Sequence, residues 1–188
     1  QKKTGDQIII VDNNEKHPNA RKLSRIKGID KIFRSKNIGF GGACNLAVKF
    51  IDQQVDAFLF LNPDTRIKHD TLEAFRATNR ESAAYMGTLL IDDNKVNSYK
   101  TEVHISGMSW AGSLYSSPKD KKNISEINYA SGACLLVWAD EFANIGGFED
   151  SYFLYYEDTD LCSRLLLKGK SISRINNAIV YHDYVEGL

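Results

Sequence analysis

The sequence predicts an α/β domain, with a mostly parallel central sheet and helices on both faces. Three observations lead there. Short apolar, β-branched runs alternate with helix-spaced segments through the first half. Those runs stop at clusters of Asp, Asn, Pro and Gly, which is turn chemistry. The length, 188 residues, suits one domain with one buried core.

The elements follow in order. Gln7 to Val11 is a β-branched run that reads as a strand buried on both faces, and Asp12-Asn13-Asn14 stops it. Residues 20–27 have weak helical spacing and end at Gly28. Ile29 to Arg34 reads as a second strand. Gly41 to Gln53 reads as a helix with Leu46, Ala47, Phe50 and Ile51 on one face. Val55 to Leu61 is a third strand, ended by Asn62-Pro63-Asp64-Thr65. His69 to Arg80 is helical by the spacing of Leu72, Phe75 and Arg76, and Ala83 to Ile91 is a fourth strand. Residues 96–127 are polar and irregular, with short strands near 102–108 and a solvated loop at Lys119-Asp120-Lys121-Lys122. Ala130 to Trp138 is an apolar strand. A short helix from Asp140, a break at Gly146-Gly147 and a helix over 157–168 follow. Two short strands near 172–181 close the pattern.

Composition excludes several functions. Lys plus Arg is 24 and Asp plus Glu is 24, so the net charge is zero. That argues against duplex nucleic acid or an anionic bilayer as a bulk electrostatic partner. The longest apolar run, Ala133 to Ala139, is seven residues, against the roughly 20 that span a bilayer. The N-terminus has no signal-peptide pattern. Cys44, Cys134 and Cys162 are widely spaced and odd in number, which suits free buried thiols better than a zinc site or disulfide framework.

Chemistry is expected at the strand ends, because open α/β sheets bind ligands beyond the carboxyl ends of their strands. Asp12-Asn13-Asn14 ends the first strand. Asn37-Ile38-Gly39-Phe40-Gly41-Gly42-Ala43-Cys44-Asn45 follows the second, and Asn62-Pro63-Asp64 follows the third. Each cluster could be turn chemistry alone. The glycines also open a helix whose N-terminus favours anions. A dinucleotide fingerprint needs Gly or Ala where Cys44 stands, which counts against an NAD site. Asp64 suits a hard divalent cation that completes its shell with phosphate oxygens. Further on, Tyr152, Phe153, Tyr155 and Tyr156 precede Glu157, Asp158 and Asp160 at a helix start. Carboxylates there complement the helix dipole, and Asp160 with Arg164 is an i,i+4 pair. Asp158 is also placed for general-base work if it faces a pocket. The aromatic run is core packing or a sugar platform. His182, at the end of the last strand, is structural or a metal ligand.

Taken together, these motifs resemble family 2 glycosyltransferases of the bacterial rhamnosyltransferase-like group. The series is Val11-Asp12-Asn13, Asn37-x-Gly39-Phe40-Gly41-Gly42-Ala43-x-Asn45, Leu61-Asn62-Pro63-Asp64-Thr65 and Ser131-Gly132-Ala133-Cys134. Gly146-Gly147-Phe148, Tyr155-Tyr156-Glu157-Asp158-x-Asp160-Leu161-x-x-Arg164 and His182 complete it. The resemblance implies a GT-A fold and inverting transfer of a hexosyl or deoxyhexosyl group from a nucleotide-diphosphate sugar. The acceptor would be a saccharide or lipid-linked sugar of a bacterial surface polysaccharide. It implies that Asp12 bonds the nucleotide base, that Asn37, Gly39 and Asn45 line the nucleotide, and that Gly132 and Ala133 leave room for the sugar. Asn62 and Arg164 join the donor site. Asn62-Pro63-Asp64 stands for the family's Asp-x-Asp, so Asp64, with His182 nearby, would carry Mg²⁺ or Mn²⁺. Asp158 would be the base and Glu157 its orienting neighbour.

The resemblance also sets an organisation. Residues 1–95 form the nucleotide-binding half and 96–188 the donor-sugar and acceptor half of one domain. The family's first strand is expected to be missing, since only Gln1 to Asp6 stand in its place, and the chain opens at Gln1 rather than Met. C-terminal helices past His182 are likewise expected to be absent, and with them a route to peripheral membrane association. The expected location is cytoplasmic, at the inner face of the membrane. Two rivals remain: a non-catalytic nucleotide-sugar-binding relative, and a nucleotidyltransferase of similar architecture. The latter would carry a basic glycine-rich N-terminal loop, which this sequence lacks.

Overall fold

The computed structural model describes residues 2–14, 20–93, 95–98, 100–103, 109–112 and 124–182. In chain order the elements are β1 (Ile9–Asp12), α1 (Ala20–Leu23), β2 (Lys31–Arg34), α2 (Gly39–Lys49), β3 (Ala57–Leu61), β4 (Thr65–Ile67), α3 (Thr71–Arg76) and β5 (Ala84–Asp92). Then come β6 (Lys95–Ser98), β7 (Lys100–Val103), β8 (Ser109–Gly112), β9 (Ile124–Ile127), β10 (Cys134–Trp138), α4 (Ala139–Asn144), α5 (Glu157–Leu167) and β11 (Ile172–His182). The Lys119–Lys122 cluster and residues 104–108 lie outside the described residues.

The α/β class holds, but the main sheet is mixed rather than mostly parallel. Its strands run in the order β3-β10-β5-β11-β4, with β6 on β5 and β9 on β11. Within this sheet, among the described residues, only β5 and β11 pair in parallel; β10 is antiparallel to both β3 and β5, and β4 is antiparallel to β11. β1 and β2 form a separate parallel pair. The reason lies in where β10 goes. Its residues Cys134, Leu135 and Val137 are fully buried, so this strand must be covered on both faces. It sits between β3 and β5, antiparallel to both, so its backbone groups are paired on both edges while its two faces are packed into the core.

The two closing strands expected near 172–181 are one strand. β11 pairs with β5 over Ile172–Ile175, shifts register, and pairs again over Ile179–Tyr181. The polar pair Asn176-Asn177 falls at that irregularity, a β-bulge that bends the strand. The core is built from both halves of the chain. Ala84, Tyr85, Met86 and Leu89 of β5 meet Leu161, Cys162 and Leu165 of α5, and Ile172 and Val180 of β11. Each fully buried aliphatic side chain contributes about 1.5–3 kcal/mol.

A second packing unit supports the sheet edge where the strands end. Phe148 lies 5.2 Å from Phe60, 5.6 Å from Phe142 and 5.9 Å from Phe40, ring centre to ring centre, in edge-on contacts. It follows Gly146 and Gly147, both at positive φ (82° and 77°), which turn the chain from α4 toward the α5 segment. This aromatic knot ties α2, β3, α4 and the loop before α5 together.

Candidate active site

Six segments that are far apart in sequence are linked at strand and helix ends, and hydrogen bonds trace the line. The first segment is the end of β1. Asp12 is 9 % exposed; its Oδ1 accepts the Asn14 N–H at 3.2 Å, while its buried Oδ2 has no partner among the described residues. A buried carboxylate oxygen left bare costs about 1–3 kcal/mol, so a ligand donor would be well received there. Asn13 donates from Nδ2 to the Gly39 carbonyl at 2.8 Å and accepts the Ser35 hydroxyl at 2.8 Å. It joins β1 to the start of α2.

The second segment is that helix start. Asn37 Oδ1 accepts the Gly39 N–H at 3.1 Å. Gly39 has φ +79°, and a side chain there would run into the Phe153 carbonyl. That same carbonyl accepts the Phe40 N–H at 3.3 Å. Glycine is therefore required twice over, by conformation and by close approach.

The third segment is the run from residue 153 into α5. Tyr155 and Tyr156 both lie at positive φ (67° and 70°), the left-handed region that costs a non-glycine residue about 1–2 kcal/mol. Tyr156 then caps α5, whose first turn carries Glu157, Asp158 and Asp160. The sidedness of these acids differs. Glu157 is 6 % exposed, packs near Gly41, and has a buried Oε2 without a partner. Burial raises its pKa, with the charge of Asp158 adding and its own backbone N–H opposing. Asp158 instead accepts three hydrogen bonds. The Tyr129 hydroxyl and the Gly132 N–H each reach Oδ2 at 2.8 Å, and the Thr159 N–H reaches Oδ1 at 2.7 Å.

Those bonds lead to the fourth segment, residues 129–133, and to the fifth, the end of β3. Asn62 N–H donates to the Ala133 carbonyl at 3.2 Å, and Thr65 closes a turn on the Asn62 carbonyl. This places Asp64 beside the sixth segment, the end of β11. Thr65 pairs with His182, and His182 Nε2 sits 3.4 Å from Asp64 Oδ1. Asp64 is 54 % exposed and His182 22 %. This carboxylate-imidazole pair is open to solvent on its carboxylate side. Among the described residues no group of three or more His, Cys, Asp or Glu side chains gathers to hold an ion.

Several expected site residues are used by the fold itself. Asn45 donates from Nδ2 to the Phe148 carbonyl and to Asp150, both at 2.8 Å, and accepts the Phe148 N–H at 3.0 Å. Its amide is spent on the loop before α5 rather than turned toward a nucleotide. Arg164 bonds the Ile145 and Gly147 carbonyls at 2.6 and 2.8 Å and Asp160 at 2.8 Å, so it clamps α4 to α5. Gly132 and Ala133 do not leave open space. A side chain at 132 would press on the Phe40 ring, and Ala133 is 3 % exposed. What Gly132 offers is its N–H to Asp158. The thiols are poor nucleophiles. Burial pushes Cys134 and Cys162 up to about 12, and raises Cys44 with help from Glu157.

Comparison with known proteins fits this geometry. The profile described as glycosyl transferase family 2 matches residues 1–142. The chain belongs to glycosyltransferase family 2. A second profile, the N-terminal domain of galactosyltransferase, matches residues 115–186. Among curated relatives of this family 2 domain, the rhamnosyltransferase WbbL of Escherichia coli is 28 % identical over 87 % of this chain and 67 % of its own length. The hexosyltransferase Agl10 of Haloferax volcanii is 26 % identical over 84 % of this chain and 52 % of its own. An N-acetylglucosaminyl-diphospho-decaprenol L-rhamnosyltransferase of Mycobacterium tuberculosis is 24 % identical over 93 % and 66 %. The family 2 domain thus spans half to two thirds of the curated relatives it matches, and its likeness is to the rhamnosyltransferase-like group. A solved structure of GalNAc-T7 with UDP, GalNAc and Mn²⁺ superposes with a TM-score of 0.75 at 12 % identity, over 96 % of this chain and 38 % of its own. The fold is GT-A.

Three parts of the site escape sequence reasoning. Asn13 reads there only as a turn residue. The Phe153 carbonyl is backbone, invisible to any motif. Tyr129 had one usable signal: a tyrosine next to a small-residue turn and an apolar strand is set to be buried, and a buried hydroxyl needs a partner.

Proposed function

We propose that this domain transfers a sugar from a nucleotide-diphosphate donor to a saccharide or lipid-linked acceptor, with inversion at the anomeric carbon. The reading rests on one observation. Strand and helix ends linked by a chain of hydrogen bonds carry a bare buried carboxylate oxygen at Asp12, an open carboxylate-imidazole pair at Asp64 and His182, and a hydrogen-bonded carboxylate at Asp158. A nucleotide sugar needs those three services in that chemical order: a base, a diphosphate and a reacting sugar.

Asp12 Oδ2 accepts an N–H of the nucleotide base, which relieves its unpaired burial. Residues 1–95 supply this nucleotide-binding half and 96–188 the sugar and acceptor half. The donor set at Asp64 and His182 fits a divalent cation. One carboxylate and one imidazole suit Mn²⁺ as well as Mg²⁺, with diphosphate oxygens and water completing the shell. Such an ion, when bound, neutralises charge that develops on the leaving diphosphate. Asp158 takes the proton of the acceptor hydroxyl as the new glycosidic bond forms, and no second carboxylate is needed as nucleophile. Glu157, buried beside it, fixes the first turn of α5. The names of the relatives favour an activated deoxyhexose, with dTDP-rhamnose the first donor to test. Membrane-face work at the cytoplasmic side follows if the acceptor is lipid-linked. Among the described residues no helix is long and apolar enough to cross a membrane.

Asp158→Asn tests the reading. Turnover should fall about 10²- to 10⁴-fold, while nucleoside diphosphate binding by calorimetry stays within twofold. Normal turnover in the variant would remove Asp158 from the role of base.

A further inference from the structure

We infer that Tyr129 is a positioning residue for Asp158, and that it dedicates Asp158 Oδ1 to receiving the acceptor proton. The inference rests on the assignment of Asp158 as base and adds to it which oxygen acts and what holds it.

The geometry gives the two oxygens unequal duties. Oδ2 accepts two bonds of 2.8 Å, from the Tyr129 hydroxyl and the Gly132 N–H. A carboxylate oxygen has two lone-pair sites, so Oδ2 is full. Oδ1 accepts one short bond, from the Thr159 N–H at 2.7 Å. The Thr159 hydroxyl lies 3.5 Å away, beyond the range of a real O–H···O bond. One lone pair of Oδ1 is therefore available to an incoming hydroxyl. In the transfer, the acceptor O–H bond breaks and its proton goes to Oδ1. The acceptor oxygen bonds the anomeric carbon, and the bond from that carbon to the diphosphate oxygen breaks, its electron pair leaving with the nucleoside diphosphate.

Two of the three donors are backbone N–H groups, fixed by β10's approach and by α5 itself. Tyr129 is the one side chain among them. Its phenol is held protonated by burial first and by the Asp158 charge second, so it stays a donor over the working pH range. The other titratable groups around Asp158 are Glu157 on the same helix and the buried thiol of Cys162. Neither gives a hydrogen bond to this carboxylate among the contacts described, so removing the Tyr129 hydroxyl leaves Oδ2 with one donor and one open lone pair, and Oδ1 is no longer the one oxygen dedicated to the acceptor.

The test uses Tyr129→Phe, and Tyr129→4-fluorophenylalanine, which fills the hydroxyl's volume without a donor and guards against a cavity effect. The probe donor is dTDP-rhamnose with Mn²⁺, and Asp158→Asn is run in parallel. Both Tyr129 variants should lose about 10- to 100-fold in kcat, the worth of a hydrogen bond to a charged group. The KM for donor should stay near that of the unsubstituted protein, and the two variants should melt at the same temperature as each other. Full kcat in the 4-fluorophenylalanine variant would overturn the inference, as would a rise in KM equal to the fall in kcat. If Asp158→Asn also keeps its turnover, the base assignment itself has failed. If Asp158→Asn is inactive while the Tyr129 variants are normal, only the role of Tyr129 has failed.

Discussion

Glu157 and Asp158 are adjacent acids with opposite surroundings, and the difference has a measurable consequence. Asp158 is met by three donors, whereas Glu157 is buried with a bare Oε2. Burial raises the folded-state pKa of Glu157 above the ordinary 4.5. Between those two values the folded chain holds a proton that the unfolded chain has released. The Glu157 contribution is therefore most favourable below pH 4.5 and is lost as pH rises through the folded value. Glu157→Gln should accordingly be more stable than the unsubstituted protein at pH 7, with the gain vanishing below pH 4.5. Denaturant melts across that range would show it; a gain that does not change with pH would refute it. At Asp64 the expectation concerns binding. Asp64→Ala should bind nucleoside diphosphate equally with and without Mn²⁺ by calorimetry, where the unsubstituted protein gains from the ion. An unchanged Mn²⁺ gain in the variant would clear Asp64 of the metal role. These acids are legible in the sequence because carboxylates cluster at a helix start and a strand end. The same logic does not show that Asn45 and Arg164 bond the fold itself. A polar side chain in a motif does not reveal whether its bonds go to a ligand or to the backbone of residues about 20 or 100 places away.

At the scale of elements, the helix that carries Asp158 is held by a contact rather than by a cap. α5 has no side-chain N-cap bond. Its approach is set by Phe153 against Gly39 and by two tyrosines in the left-handed region. Gly39→Ala should thus cost about 1–3 kcal/mol in strain alone, with more from the collision at Phe153, and should lower kcat by displacing α5. A denaturant midpoint and a turnover number within error of the unsubstituted protein would show that the contact is dispensable. The strand ends and α5 were readable because each has a local signal: a β-branched run stopped by Asx and Pro, or an acidic first turn. β4 was hidden because Thr65–Ile67 is three residues long and begins inside a turn. The mixed direction of the sheet was hidden for a different reason. Local sequence reports that Cys134–Trp138 must be buried on both faces, but not which way it will run between its neighbours. The split in β11 was visible as polar Asn176-Asn177, and it marks a bulge rather than a chain break.

The described residues share a hydrophobic core cluster built from both halves of the chain, and the proposed chemistry lies at the linked strand and helix ends. The chain's net charge of zero fits a partner held at a point rather than along a surface. The carboxylates there would repel a diphosphate, so in the proposed reaction donor binding needs a divalent ion and turnover needs Asp158. Family and fold were legible in the order of the motifs along the chain. Their linkage in space was not, because it depends on pairings such as Thr65 with His182 and Gly132 with Asp158. The most direct measurement is release of free nucleoside diphosphate from UDP-, GDP- and dTDP-sugars, with Mg²⁺, Mn²⁺ or a chelator, and with the product's anomeric configuration read by NMR. The account predicts release that needs the divalent ion, is lost in Asp158→Asn, and gives a product of inverted configuration. Release that persists in chelator, or a product with retained configuration, would contradict it.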